Sequence, residues 1–266
     1  MPEVDPALPR GTRHLRFEVI DSTNAEAMRR ATAGEPGPLW VWAGAQSLGR
    51  GRSGRTWTSV AGNLYASLLT RLECRPDTVY QLSLLTGVAV VDAIRAAAAE
   101  RGRLIPVLRL KWPNDVLIGT AKVAGILPES MSVPGDSRLA VVVGIGLNLA
   151  GQPDGLGRDV THLAAHGVDC SPEAALGLLD DALQSWLARW KCGAGFADIR
   201  AAWLERAGRP GEPVVIHAGT ERVEGVYVGI DEGGSLILRD PEGRERRFSY
   251  GDVTLGAAAA AVRGPE

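Results

Sequence analysis

The stretch QSLGRGRSGRTWTS, residues 46–59, alternates arginines with glycines and carries Trp57 near its end. Arg50, Arg52 and Arg55 each present a planar fork of donors matched to carboxylate or phosphate oxygens. Gly49, Gly51 and Gly54 let the backbone bend and approach a ligand closely. No helical or strand periodicity fits the run, so we expect a mobile loop that cradles an anion. GRGRSG also spells G-x-G-x-x-G, but that dinucleotide fingerprint must open a helix. Here the chain runs instead toward the β-like segment NLYASLL, 63–69. A solvated polar turn is the plainer alternative for such a loop.

Further anion-binding candidates lie downstream. KWPNDVLI (111–118) sets Lys111, Asn114 and Asp115 around a proline turn at a strand end. KVAGIL opens with Lys122, and a period of two puts Lys122, Ala124 and Ile126 on one strand face. A lysine leading an apolar strand either snorkels to water or has an anionic partner. VGIGLN adds Gly144, Gly146 and Asn148, with small residues that leave room for a flat ligand. Near the start, Thr23 and Glu26 have the spacing of a capping box. Ser22, Thr23 and Asn24 then sit at a helix N-terminus, where they either hold a polar ligand or only cap.

These residues amount to several cations, one carboxylate, amides and close-approach glycines, without a Ser/His/Asp triad or catalytic cysteine. The set suits activation of a carboxylate with ATP. Both reactants are anions, and two unit charges about 4 Å apart repel by about 4 kcal/mol at an effective dielectric of roughly 20. Cations and Mg²⁺ must offset that repulsion. On this reading Asp115 holds Mg²⁺, with Asn114 or Asn148, while Lys122 and the arginines neutralise oxygens.

The elements that must position this chemistry alternate in type. LRFEV, LWVWAGA and NLYASLL read as strands, and DSTNAEAMRRATAG as a helix stopped by Gly34. TVYQLSLLTGVAVVDAIRAAAAERG reads as a long apolar helix ending at Gly102. VLRLKW, VLIG, KVAGILPE and LAVVVGIGLNLA follow as sheet strands. Ser171 and Pro172 open a helix through Trp190, and FADIRAAWLERAG supplies another. After GRPGEP (208–213) the pattern changes to short alternating strands with EGG and PEG turns, a small antiparallel barrel suited to a lid or docking role.

With 45% hydrophobic and 23% charged residues, the composition is that of a globular protein. A net charge of -2 excludes a nucleic-acid coat and makes any anion binding local. Cys74, Cys170 and Cys192 lack metal spacing and read as reduced thiols. His162 and His166 lack a third ligand and read as surface or packing residues. No apolar run reaches 18 residues and no signal-peptide layout opens the chain, so we expect a cytoplasmic protein without a membrane partner.

GRGRSGRTW, KWPNDVLI and KVAGIL, in this order, with STN before them and VGIGLN after, resemble the biotin protein ligases over roughly residues 15–255. The resemblance implies an α+β fold. Its parts would be a class II tRNA synthetase-like catalytic domain over 1–208, with a mixed sheet flanked by helices, an SH3-like barrel over 213–256 and a tail over 257–266. It implies that biotin and MgATP form biotinyl-5'-adenylate, whose acyl group passes to a lysine of a biotin carboxyl carrier domain of a biotin-dependent carboxylase. It further implies that Ser22, Thr23, Asn24, Gln46, Arg50, Gly51, Arg52, Lys122, Gly125 and Gly144 hold biotin. Lys122, Arg52 and Asp115 would serve catalysis, Arg55, Trp57, Lys111, Asn114 and Asn148 the nucleotide, and Asp115 with Asn148 the metal. Few residues precede the first strand, so a monofunctional member without a DNA-binding domain is expected. A lipoate or octanoyl ligase or transferase of the same fold is the nearest alternative, and a non-enzymatic carrier-docking module is another.

Overall fold

The computed structural model describes residues 3–4, 8, 11–105, 107–153, 155, 157 and 159–256. The expected tail at 257–266 therefore lies outside the described residues. Strands β1 (Glu3–Val4) and β2 (Arg13–Ile20) precede helix α1 (Thr23–Thr32), after which come β3 (Leu39–Gln46) and β4 (Leu64–Leu72). Helix α2 (Gln81–Ala99) is followed by β5 (Leu108–Lys111), β6 (Asp115–Ile118), β7 (Ala121–Ser132) and β8 (Leu139–Leu147). The strands form one sheet in the order β1-β2-β3-β4-β8-β7-β6-β5. Strands β2 and β3 pair in parallel, which requires a crossover that α1 provides, and their neighbours pair antiparallel.

The cap of α1 differs from the expected box by one residue. Ser22 is the N-cap and its hydroxyl accepts from the Ala25 amide, while Glu26 pairs with Arg29 and Arg30. The shift frees Thr23 and Asn24 to point their side chains into the sheet, where both are buried.

Helix α2 is apolar on nearly every side because it is covered on nearly every side, with Arg95 and Ala99 among its exposed residues. It packs against α3 (Pro172–Trp190), α4 (Phe196–Arg206) and the sheet. The stretch Pro76–Ala99 is long and apolar enough to cross a membrane, yet 78% of its most apolar window is buried inside the protein. That burial accounts for the hydropathy of the long apolar helix expected there. Helix α3 is fastened to the sheet by its wholly buried Asp180, which accepts from the Trp40 indole at 2.9 Å and the Thr12 hydroxyl at 2.8 Å. A buried carboxylate needs such donors to offset its desolvation.

A second, antiparallel sheet contains β9 (Pro213–Ala218), β10 (Glu221–Ile230), β11 (Leu236–Arg239), β12 (Glu245–Phe248) and β13 (Asp252–Leu255), in the order β12-β11-β10-β9-β13. The run 245–255 forms two strands that lie at opposite ends of this order. Gly251 lies between them at φ 136, and a Cβ there would stand 2.9 Å from the His217 carbonyl oxygen. Only glycine takes that bend without strain, and the bend carries β13 toward the first sheet.

Candidate active site

A pocket of about 770 Å³ opens between the loop at 50–57, the first sheet and β13. Its volume is within the range of small-molecule sites. Every residue expected at the site lines it except Asn148.

One end is built from α1 and β3. The Gln46 side-chain oxygen accepts from the Thr23 amide at 2.8 Å and the Thr23 hydroxyl at 3.1 Å. Behind them the buried Ser67 hydroxyl of β4 lies 2.7 Å from the Thr23 hydroxyl and 2.6 Å from Asn24 Oδ1. The Asn24 amide donates to the Leu127 carbonyl and to Glu129 of β7. Gly144 makes this possible, since a Cβ there would meet Asn24 Oδ1 at 2.1 Å.

The floor is a charge cluster on β5, β6 and β7. Asp115 pairs through Oδ1 with Lys122 and through Oδ2 with Lys111 at 3.1 Å. Lys122 and Asp115 are only 8% and 9% exposed. Burial pushes the Asp115 carboxyl up, but Lys122 and Lys111 outweigh it and hold the group below its ordinary value. Two ammonium groups converge on one carboxylate in a largely desolvated place, an arrangement suited to an anionic guest.

Lys122 reaches this cluster by a route that strand alternation does not foresee. The β6–β7 register runs Val116 to Ala124 and then Leu117 to Lys122, so Val123 is an extra residue, a β-bulge. Ala124 and Ile126 belong to the core. The bulge turns Lys122 to the face of Gly125, where a Cβ would meet Lys122 Nζ at 2.8 Å. The expected shared face of Lys122, Ala124 and Ile126 is thus corrected, and the bulge re-aims the lysine into the pocket.

The loop forms the roof. Arg52 donates to Asn114 Oδ1 at 3.2 Å and to the Gly251 carbonyl at 3.0 Å, while Arg55 contacts Asp252 at 2.7 Å. Arg50 bonds Glu129 at 2.8 Å. The Trp57 indole descends between Gly125 and Gly146, where added Cβ atoms would meet the ring at 2.7 and 2.4 Å. Lys122 Nζ lies 5.2 Å from that ring's centroid. The glycines therefore make room for the chain's own indole. Its N–H is buried without a hydrogen-bond partner among the described residues, a donor suited to a ligand acceptor.

Asn148 is not brought to the lining. Its amide donates to the Thr161 carbonyl at 3.0 Å, and its oxygen is reached by Asn63. The residues present do not make a cage for a metal: both Asp115 oxygens are on lysines, Asn148 is committed elsewhere, and no group of three or more His, Cys, Asp or Glu occurs among the described residues. Neither does His166 join His162, since it bonds Thr161 while His162 faces Gln152.

Sequence reasoning missed Arg109, Glu212 and β13. Arg109 shares a strand face with Lys111 at a period of two, so alternation would have found it. It contacts Glu212 at 2.9 Å at the pocket's edge. Asp252, Val253 and Thr254 carry no local signal, because their approach depends on how the two sheets meet. The Val253 carbonyl accepts from Lys111 at 3.2 Å, so the second sheet forms part of the site wall.

Comparison with known proteins places this geometry in a family. Residues 16–148 match the biotin/lipoate A/B protein ligase family, and residues 211–256 match the biotin protein ligase C terminal domain. The chain is 45% identical to a biotin–[acetyl-CoA-carboxylase] ligase of Paracoccus denitrificans over 85% of its own length and 93% of that protein. It is 32% identical to a bifunctional ligase/repressor of Escherichia coli, over 90% of this chain and 73% of that one. Its structure is similar to the biotin protein ligase of Aquifex aeolicus solved in complex with biotin and ATP, with a TM-score of 0.74, 27% identity, and coverage of 91% of this chain and 97% of that one. It is also similar to the Leishmania major biotin protein ligase solved in complex with biotinyl-5-AMP, with a TM-score of 0.59, 25% identity, and coverage of 89% and 98%. Sequence, fold and pocket together make this chain a member of the biotin protein ligases within the biotin/lipoate protein ligase family.

Proposed function

We propose that this protein activates biotin with ATP and passes the biotinyl group to a lysine of the biotin carboxyl carrier domain of acetyl-CoA carboxylase. In the first step a biotin carboxylate oxygen bonds the α-phosphorus, and the bond to pyrophosphate breaks. In the second, a lysine amine bonds the acyl carbon and AMP leaves. The observation that carries the reading is the buried cluster of Lys122, Lys111 and Asp115 under the arginine roof. The named relative's activity on acetyl-CoA carboxylase supports the choice of acceptor.

In this reading the α1–β3 end, with Ser22, Thr23, Asn24 and Gln46, takes the polar ring of biotin. Lys122 stands at the junction of carboxylate and α-phosphate, where its fixed charge stabilises the developing negative charge without reorganisation. Asp115 keeps the two ammonium groups in place. Arg50, Gly51 and Arg52 cover the acyl phosphate and exclude water, which would hydrolyse a mixed anhydride. Arg55, Trp57, Lys111 and Asn114 serve the nucleotide. Mg²⁺ would be brought by the triphosphate and would partly neutralise its charge, without a cage of its own among the described residues. Three free thiols suit a reducing cytoplasm.

Exchange of labelled pyrophosphate into ATP tests the first step. Exchange should require biotin, and exchange supported by lipoate and not by biotin would overturn the reading.

A further inference from the structure

Resting on the biotin reading above, we propose that Glu129 is a positioning residue: it locks the Asn24 amide in one orientation and ties Arg50 of the loop to that lock. A single carboxylate oxygen, Oε2, accepts from Asn24 Nδ2 at 2.6 Å and from Arg50 Nη2 at 2.8 Å. The second Asn24 N–H goes to the Leu127 carbonyl at 3.2 Å. Both donors of the amide are thus used on one side. Oδ1 lies next to the Ser67 hydroxyl, whose oxygen stands 2.6 Å away as its donor, and over Gly144, which lines the pocket with Asn24.

Turning the amide over would bring Oδ1 against the Glu129 carboxylate and the Leu127 carbonyl, a gathering of acceptors with no hydrogen between them. The orientation is therefore enforced, and the pocket meets Asn24 as an acceptor. A cyclic urea carries ring N–H groups that match an acceptor; a disulfide-containing ring has none. Glu129, outside the pocket lining, thereby acts on the choice of ring through Asn24, whose oxygen keeps a second lone pair beside the one Ser67 occupies, and a ring without an N–H leaves that lone pair unmatched.

The plainer reading is a surface ion pair. The Arg50 and Glu129 side chains are 46% and 28% exposed, and such pairs contribute little to stability. That reading leaves substrate kinetics unchanged, so the two part on measurement.

The test is pyrophosphate exchange by the full chain carrying Glu129→Ala or Glu129→Gln, with biotin and with a biotin analogue methylated on the ring nitrogen. Glu129→Ala should raise KM for biotin about tenfold, equivalent to about 1.4 kcal/mol, while KM for ATP and the thermal midpoint stay close to the parent. The penalty the parent imposes on the methylated analogue should shrink. Glu129→Gln keeps an oxygen for Asn24 and removes the charge facing Arg50. It should restore most of the biotin KM yet release adenylate faster than the parent. An unchanged biotin KM in Glu129→Ala, or equal rises in both KM values, overturns the proposal. A parent without biotin-dependent exchange instead rejects the reading beneath it.

Discussion

The floor and the roof of the pocket use the same kind of charge in opposite ways. On the floor, Lys122, Asp115 and Lys111 project from paired strands, and Lys122 and Asp115 are almost fully buried. On the roof, Arg50 and Arg55 are about half exposed, at 46% and 49%, and hold Glu129 and Asp252 across the pocket mouth. Pairs of the first kind lose several kcal/mol when one partner is removed, whereas exposed pairs contribute at most about 1 kcal/mol. The floor is accordingly a preorganised electrostatic surface, and the roof is a set of contacts weak enough to exchange for a ligand. Loop closure over a reactive anhydride needs both: fixed charge below and releasable charge above.

Removing a floor group should have the largest effect. Lys122→Ala should lower biotin-dependent pyrophosphate exchange by about 10²–10³, as for one directed donor at a reacting centre. Exchange within a few-fold of the parent would break the contrast and move the role to Lys111. Next comes Gly146→Ala, whose Cβ would stand 2.4 Å from the Trp57 ring. Expelling the indole should lower stability by about 1–3 kcal/mol by chemical denaturation and loosen the loop. An unchanged midpoint would mean that the roof is not seated on the floor at all.

Roof variants should be milder and of a different character. Arg52→Gly should leave the protein folded but release biotinyl-adenylate about ten- to a hundredfold faster, because a charged hydrogen bond is worth about 1.5–3 kcal/mol. Release at the parent rate would contradict the clamp.

Acid titration gives the smallest effects and sharpens the same contrast. The Asp115 carboxyl is held below its ordinary 3.8 by the lysines. Its contribution is fully present above that value and is lost as pH falls through the lowered one. Asp21, on the exposed surface, is lowered to about 2 by its bond to Arg29. Asp115→Asn should flatten the loss of stability below about pH 4 more than Asp21→Asn does. Equal flattening in urea titrations would show that burial does not separate the two carboxylates.

Much of the site was legible because its residue types are costly anywhere else: arginines among glycines in one loop, and a lysine opening an apolar strand. What escaped depended on pairing between strands. The face of Lys122 is decided by a bulge in the β6–β7 register, which alternation within KVAGIL does not contain. Asn148 looked available until Asn63 and the Thr161 carbonyl were brought to it from distant sequence. The wall made by Asp252 and Val253 follows from Gly251, whose sharp bend separates β12 from β13. The strand and helix pattern was plain in the first sheet and in α2 through α4, where periodicity is strong. It was weakest at the cap of α1, where Ser22 and Thr23 are equally good capping types.

A structure with a non-hydrolysable biotinyl-5'-adenylate analogue bound tests the account most directly. Lys122 Nζ should lie within about 3.2 Å of an oxygen at the acyl–phosphate junction, with Arg52 drawn from the Gly251 carbonyl onto the ligand. A Lys122 nitrogen still held at Asp115, remote from that junction, would contradict it.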